Sequence, residues 1–165
     1  MKSIAIFAIF AVFTHIAFVI AFPYAIVIGN YLATKKDVKP NTVYHEKVID
    51  ASFKKVVMPS PDILYSACVF DLSDKDLLIT ARVPEFTYWS VSFYALNTDN
   101  FFVVNDQSVR GEFRAVLSLN KSCKDCIISP SSKGIIIFRI FIPDNSLLPE
   151  IIEYQKSIKC EQIAK

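Results

Sequence analysis

WSVSFYALN, at positions 89–97, alternates large apolar residues with smaller polar ones along most of its length. In an extended chain Trp89, Val91 and Phe93 fall on one side, and Ser90 and Ser92 fall on the other. This period of two predicts a β-strand whose Trp89 side faces a core and whose serine side faces a wetter surface.

Five further segments around this strand are rich in branched and aromatic residues and are bounded by Pro, Asp, Asn, Ser or Gly. They are ILYSACVFDL at 63–72, DLLITARV at 76–83, FFVVND at 101–106, RAVLSLN at 114–120 and GIIIFRIFI at 134–142. Short strands at this spacing predict a mainly β fold, an antiparallel β-sandwich-like domain. We expect the nearly continuous apolar segment 134–142 in the middle of a sheet, buried on both faces apart from Arg139.

One helix is predicted after the strands. Residues 144–146 (DNS) can cap it, and Pro149 is tolerated in a first helical turn. Its apolar residues recur on one face: Leu147, Leu148, Ile151 and Ile152. An amphipathic C-terminal α-helix is therefore expected to close the domain.

An uncharged apolar run, residues 3–34, precedes the domain. At about 1.5 Å per helical residue it can cross a bilayer core of roughly 30 Å. A secretory signal has an apolar region of only about 7 to 15 residues and ends at a small-x-small site, and no Ala-x-Ala occurs before Lys35. We expect residues 1–34 to be an uncleaved transmembrane anchor, with residues 4–34 in contact with the lipid bilayer. Residues 35–41 would then be a charged linker, and 42–165 a single domain.

The charge pattern bears on topology and on partners. Lysines at 35, 36 and 39 slightly favour a cytoplasmic domain, whereas four cysteines in a small domain favour an oxidising, extracytoplasmic compartment. The chain carries 18 Lys and Arg against 16 Asp and Glu, a net charge of +2. No basic stripe stands out, so nucleic acid is not an expected partner.

The run from 58 to 106 resembles a known family. The likeness rests on PD followed by LYS at 61–66, FDLS at 70–73, YWS at 88–90 and NTDNFF at 97–102. These motifs are similar to those of the domain of unknown function 1254 family, in its short membrane-anchored bacterial form. Residues 129–163 look like the same form, so the resemblance covers most of 42–162.

The resemblance implies a β-sandwich-like domain that is often coupled to a sister domain, which in the short form is a separate anchored protein. It also implies a membrane-anchored bacterial protein. We expect a single pass through the inner membrane, with the domain on the periplasmic side that the cysteines favour. The resemblance implies no reaction and no cofactor.

Oxygen-bearing side chains lie at the predicted strand ends, where a Ca²⁺ ion or a sugar could be held. Turn chemistry is the competing interpretation, because Asn and Asp bond their own backbone at strand ends. Tyr88 and Trp89, next to Glu85, could stack on a sugar or could be core and rim packing. The candidate ligand-binding residues are Asp62, Tyr65, Trp89, Asn97, Asp99 and Asn100.

The cysteines allow three interpretations. Cys123 and Cys126 form a C-x-x-C pair in a predicted loop, without the helix N-terminus that redox catalysis uses. A zinc site would need two more ligands, and the candidates are Cys68, Cys160 and His45. We expect instead a structural disulfide between Cys160 and either Cys123 or Cys126, which would hold the terminal helix to the sheet and contribute about 2 to 4 kcal/mol.

A serine hydrolase is not expected, because there is no Gly-x-Ser-x-Gly elbow and His45 is the only histidine outside the apolar run. No catalytic residue and no metal site is assigned. The sequence favours a non-catalytic, membrane-anchored module that partners a sister envelope protein. The alternative is a ligand-binding or enzymatic subunit with a site near Tyr65, Trp89, Asn97 and Asp99.

Overall fold

Nine strands and two helices make up the computed structural model, which describes residues 2–35, 39–48 and 59–164. The helices are α1 (Lys2–Lys35) and α2 (Leu148–Ser157), and a 3-10 turn at Asn145–Leu147 leads into α2. The strands are β1 (Val43–His45), β2 (Ile63–Asp71), β3 (Asp76–Val83), β4 (Trp89–Ala95), β5 (Asn100–Asn105), β6 (Gly111–Ser118), β7 (Cys126–Ile128), β8 (Lys133–Phe141) and β9 (Lys159–Ile163).

The strands form two sheets that share one core. The five-stranded sheet has the order β1-β2-β8-β4-β5, and the four-stranded sheet has the order β7-β6-β3-β9. The pairings are antiparallel except for β6 with β7, which is parallel. Buried residues of both sheets, among them Phe70, Ile79, Phe113 and Phe138, belong to a single apolar cluster. The predicted β-sandwich-like domain with one C-terminal helix is confirmed.

Strand β8 lies between β2 and β4, in the middle of its sheet as predicted. Its two faces differ, however: Ile136, Phe138 and Ile140 are buried, whereas Ile135 and Ile137 are only half-buried. The expectation of two buried faces was wrong, because a two-layer sandwich covers each sheet with another sheet on one side only. We call the side that carries Ile135 and Ile137 the outer face of the five-stranded sheet.

Strand β4 differs from its prediction in the opposite way, because both of its sides are buried. Its Trp89 side is in the core as predicted, but Ser90 and Ser92 on the outer face are only 2% exposed. In register they lie opposite Arg139 and Ile137 of β8. Two small side chains between larger neighbours lose their contact with water, which explains the burial of this side of the strand.

The C-terminal helix is present as predicted, with Pro149 in its first turn, but it does not close the domain. The predicted cap belongs to the 3-10 turn before it: the Asp144 side chain accepts a hydrogen bond from the backbone N–H of Ser146 at 2.7 Å, whereas α2 itself begins at Leu148 without a side-chain cap. Ile151 on the helix is fully buried. After the helix the chain continues into β9, which pairs with β3 along the edge of the four-stranded sheet.

Helix α2 contacts both sheets at the same end of the sandwich. Its Ser157 Oγ accepts a hydrogen bond from the backbone N–H of Arg82 on β3 at 2.9 Å. Its Gln155 Nε2 donates to the carbonyl oxygens of Glu46 and Tyr65, at 2.9 and 3.0 Å. The helix therefore joins the two sheets.

Helix α1 includes Lys2–Gly29, a segment with a mean hydropathy of 2.6 that is long and apolar enough to cross a membrane. Pro23 lies inside the helix. Asn41, the last residue of the predicted linker, is buried and exchanges two hydrogen bonds of 2.8 Å with the backbone of Asp71. The end of the predicted linker thus already contacts β2, before β1 begins.

Candidate functional site

The predicted ligand-binding residues lie at opposite ends of the five-stranded sheet. Ile63 pairs with Phe141 and Trp89 with Ile140, so Asp62, Tyr65 and Trp89 belong to one end. Asn97, Asp99 and Asn100 follow the other end of β4, where Ala95 pairs with Gly134. At about 3.3 Å per strand residue, the length of β4 separates the two groups by roughly 20 Å. The structure does not bring them together into one site.

Trp89 is a core residue. It is 1% exposed, and its ring centroid lies 6.3 Å from that of Phe113 on the opposite sheet. The hypothesis that its ring stacks on a ligand is wrong, because the alternation of β4 turns this side chain into the sandwich. Its indole Nε1 and the neighbouring Ser90 Oγ are buried without a hydrogen-bond partner among the described residues.

Asn97 and Asp99 are used by the turn between β4 and β5. The Asn97 side chain accepts a hydrogen bond from the backbone N–H of Asp99 at 3.3 Å and donates one to the Asp99 carboxylate at 2.6 Å. Thr98, between them, has a left-handed backbone with φ of 75°. The turn-chemistry interpretation is confirmed here.

The remaining candidates have different surroundings. The Tyr65 hydroxyl accepts a hydrogen bond from the backbone N–H of Ser60 at 3.4 Å, and its ring lies on the outer face, across from Arg139. Asp62 has an exposed side chain and contributes its backbone carbonyl to Ile142. Asn100 is exposed at the start of β5.

His45 and Ser66 form a hydrogen-bonded pair. His45 Nδ1 lies 3.0 Å from Ser66 Oγ, and the two residues face each other across the β1–β2 pairing. Burial lowers the pKa of the His45 imidazole below its ordinary value of 6.5. Ser66 is only 2% exposed, so this pair ties β1 to β2 and does not present a nucleophile to solvent.

The disulfide differs from the predicted one. Cys123, in the loop before β7, is bonded to Cys126, the first residue of β7, and Cys68 and Cys160 are free and buried. The predicted bond between Cys160 and this loop is therefore wrong. The reason is β9: it places Cys160 next to β3 in the core, opposite Ile79.

No group of three or more His, Cys, Asp or Glu side chains within residues 2–35, 39–48 and 59–164 is arranged to hold a metal ion.

Asp71, the last residue of β2, forms an ion pair of 3.0 Å with Lys133 of β8. Burial opposes the ionisation of Asp71, but hydrogen bonds from Ser73 and Lys133 outweigh it and lower the pKa of this carboxyl.

A cleft that the sequence did not reveal lies beside α2. Its volume is about 490 Å³, and it is lined by Arg82, Val83, Glu85, Phe86, Gly111 and Tyr154. The Phe86 and Tyr154 rings meet edge to face with centroids 6.0 Å apart, and the Arg82 guanidinium lies 5.8 Å from the Tyr154 ring centroid. Among these lining residues the sequence pattern indicates only Glu85, as a neighbour of Tyr88 and Trp89. The others come from β3, the loop between β3 and β4, β6 and α2, and no local motif links them.

Three exposed large apolar side chains lie on the outer face, and two of them, Tyr88 and Phe141, are neighbours. Tyr88, Val103 and Phe141 are 44%, 57% and 38% exposed. The register assigns Val103 to the serine side of β4, and the Phe141 N–H donates a hydrogen bond of 2.9 Å to the Tyr88 carbonyl. Between them Arg139 donates a hydrogen bond of 3.0 Å to the Tyr94 hydroxyl. The outer face therefore combines three exposed apolar side chains with a hydrogen-bonded pair of polar groups.

Two solved structures have a similar fold. The VPA0106 protein of Vibrio parahaemolyticus is 11% identical with a TM-score of 0.65, and it matches over 88% of this chain and 35% of its own. An uncharacterized protein from Burkholderia cenocepacia is 16% identical with a TM-score of 0.51, over 76% of this chain and 35% of its own. This chain thus spans about a third of the length of both.

No curated protein matches the sequence. The family described as "Protein of unknown function (DUF1254)" matches residues 40–162, which include β1 to β8, α2 and all of β9 except its last residue. The chain therefore belongs to the DUF1254 family.

Proposed function

We propose that this protein is a membrane-anchored, non-catalytic interaction module that binds a second envelope protein through the outer face of its five-stranded sheet. The observation that carries this proposal is the exposure of Tyr88, Val103 and Phe141 on one face of the domain. Contiguous exposed apolar patches mark interaction surfaces in soluble domains, and Tyr88 and Phe141 are neighbours on this face.

The length of the solved neighbours supports a partner. Each matches over 35% of its own chain, so in those proteins a sandwich of this kind occurs together with much additional polypeptide. A separate sister protein would supply the corresponding contacts here. The separation of the candidate ligand-binding residues to two ends of the sheet supports a role without catalysis.

Helix α1 is the proposed anchor, in a bacterial inner membrane with the domain on the periplasmic side. The Cys123–Cys126 disulfide supports this side, because disulfides persist in oxidising compartments and are rare in the cytosol. If the helix is an anchor, the protein retains residues 1–34 and stays in the pellet after alkaline carbonate extraction. A soluble product that lacks α1 would identify the segment as a cleaved signal.

The binding surface is tested by substitution. Val103→Arg and Tyr88→Ala should reduce recovery of the partner from detergent-solubilised membranes by tenfold or more, because a buried anchor residue contributes roughly 2 kcal/mol to binding. Gln162→Arg, on the exposed edge of β9, is the matched control. Unchanged recovery with Val103→Arg and Tyr88→Ala, at wild-type melting temperatures, would remove the outer face as the interface.

A second candidate function is ligand handling in the cleft beside α2. Two aromatic rings, a guanidinium and a carboxylate line a volume within the range of small-molecule sites. The test is a melting-temperature screen of soluble saccharides and anionic small molecules, with Phe86→Ala as the control. A compound that stabilises wild-type protein and not Phe86→Ala would favour this function over the first.

A further inference from the structure

Two thiols lie together in the core, one from each sheet. Cys68 is on β2 of the five-stranded sheet, and Cys160 is on β9 of the four-stranded sheet. They are 0% and 9% exposed, and both are unbonded to other cysteines. Both belong to the single apolar cluster between the sheets.

The register of each strand turns these side chains into the interior between the sheets. Cys68 lies opposite Ile136 and Cys160 lies opposite Ile79, and both isoleucines are fully buried. Cross-strand partners share a face of their sheet, so both cysteines face the interior. A hydrogen bond between the Cys68 and Cys160 side chains, together with burial, raises the pKa of the Cys68 thiol. This hydrogen bond and the shared apolar cluster place the two thiols beside each other.

We propose that Cys68 and Cys160 are the site of an intersheet disulfide that forms when the protein folds in an oxidising compartment. This inference does not depend on the identity of the partner protein or on the outer face. It assigns a covalent role to the two cysteines that the loop disulfide leaves free.

The chemistry is thiol–disulfide exchange with an external disulfide as the oxidant. The Cys160 thiolate attacks one sulfur of that disulfide, which breaks the external S–S bond and releases one thiolate. The Cys68 thiolate then attacks the Cys160 sulfur, so that the Cys68–Cys160 bond forms and the second external thiolate leaves. Two electrons pass to the oxidant, and the two protein thiol protons end on the released thiols.

The bond would stabilise the fold much more than the bond already present. Cys123 and Cys126 are separated by three positions, so their disulfide restricts a very short loop of the unfolded chain. Cys68 and Cys160 would close a segment that runs from β2 to β9 and includes most of the sandwich. In the chain-entropy account the longer loop gives the larger stabilisation. The bond would also hold β9, an edge strand, to the opposite sheet.

The test uses the full-length protein in detergent micelles, with a Cys123→Ser/Cys126→Ser variant in which Cys68 and Cys160 are the only thiols. The protein is unfolded and refolded in a mixture of reduced and oxidised glutathione, because the buried thiols of the folded protein are shielded from reagents. Peptide mapping without reductant should join the peptides of Cys68 and Cys160. The melting temperature should be higher by roughly 10 °C than that of the same sample after reduction.

Cys160→Ala, made in the same Cys123→Ser/Cys126→Ser variant, is the control. Its melting temperature should be the same with and without oxidant. The mapping of the variant that retains Cys68 and Cys160 decides the question even if Cys160→Ala folds poorly. Glutathione adducts alone, or bonds between molecules, would overturn the proposal. A mapped Cys68–Cys160 bond that lowers the melting temperature would also overturn it, because the two sulfurs would then not be in bonding position in the native fold.

Discussion

Gly134 lies at the start of β8, where a side chain has no room. A Cβ atom there would lie 2.5 Å from Phe70 Cζ and would also collide with the Tyr94 carbonyl oxygen. That carbonyl belongs to β4, the hydrogen-bonded neighbour of β8, so it cannot move without disturbing the pairing. The fold therefore requires glycine at this position on packing grounds.

We predict that Gly134→Ala lowers the free energy of unfolding by about 3 kcal/mol or more, the upper range for overpacked cores. Gly111→Ala is the comparison. Gly111 has φ of 75° and its added Cβ would meet only Glu85 Oε1, at 3.7 Å, so we expect a cost of about 1 kcal/mol. Denaturant unfolding of both variants measures the difference, and equal costs would contradict the packing account.

His45 gives the domain a pH dependence. Burial lowers its folded pKa below the ordinary value of 6.5, so the unfolded chain takes up a proton more readily than the folded chain. Stability is then complete above about pH 6.5 and is lost as the pH falls through the folded pKa. The carboxyl of Asp71, with its pKa below 3.8, stays ionised through this range.

Melting temperatures at pH 7.5 and pH 5.5, chosen as about one unit on either side of the imidazole's ordinary pKa, provide the measurement. Wild-type protein should lose more stability between these values than His45→Gln does. Parallel losses in the two proteins would show that His45 does not titrate differently on folding.

For single residues, the sequence predicted which side of a strand a side chain faces better than it predicted whether that side chain binds a ligand. The alternation in β4 predicted that Trp89 faces the core, and that same orientation removes Trp89 from any ligand site. Asn97 and Asp99 bond each other within their turn, as their residue types indicate. The register of distant strands could not be predicted, and this register separates the two groups of candidates.

Among the elements, β9 shows why a short strand at the edge of a sheet is difficult to predict from sequence. KCEQI alternates weakly and carries exposed Lys159 and Glu161, which is typical of strands at the edge of a sheet. Strands β1 and β7 have three residues each, too few for a period to be read. The long central strands were predicted nearly to their ends, because their apolar composition is sustained over eight or nine residues.

Removal of β9 tests its contribution. A chain that ends at Ile158 loses five residues of pairing with β3 and uncovers the buried Ile79 and Leu77 beside them. We expect a loss of more than about 3 kcal/mol in the free energy of unfolding, as for the truncation of large core side chains. Removal of residues 164–165 alone, beyond the end of the strand, is the control and should change little. A stable chain ending at Ile158 would show that α2 closes the domain after all.

The whole molecule consists of an apolar N-terminal helix and a sandwich whose outer face carries three exposed apolar side chains. The helix and the fold class were predictable because both depend on composition over long segments. The outer face was not, since it arises from Tyr88, Val103 and Phe141, which are distant in sequence. Only the pairing of β4 with β5 and β8 brings them to the same side.

Site-specific photo-crosslinking in intact membranes tests the central claim most directly. A photoreactive side chain is placed at Val103 or Phe141 on the outer face, and at Glu161 or Gln162 on β9 as controls. The account predicts that positions 103 and 141 both crosslink to one and the same membrane protein, and that positions 161 and 162 do not. Crosslinks of equal yield from both surfaces, or none from positions 103 and 141 in well-folded protein, would contradict it.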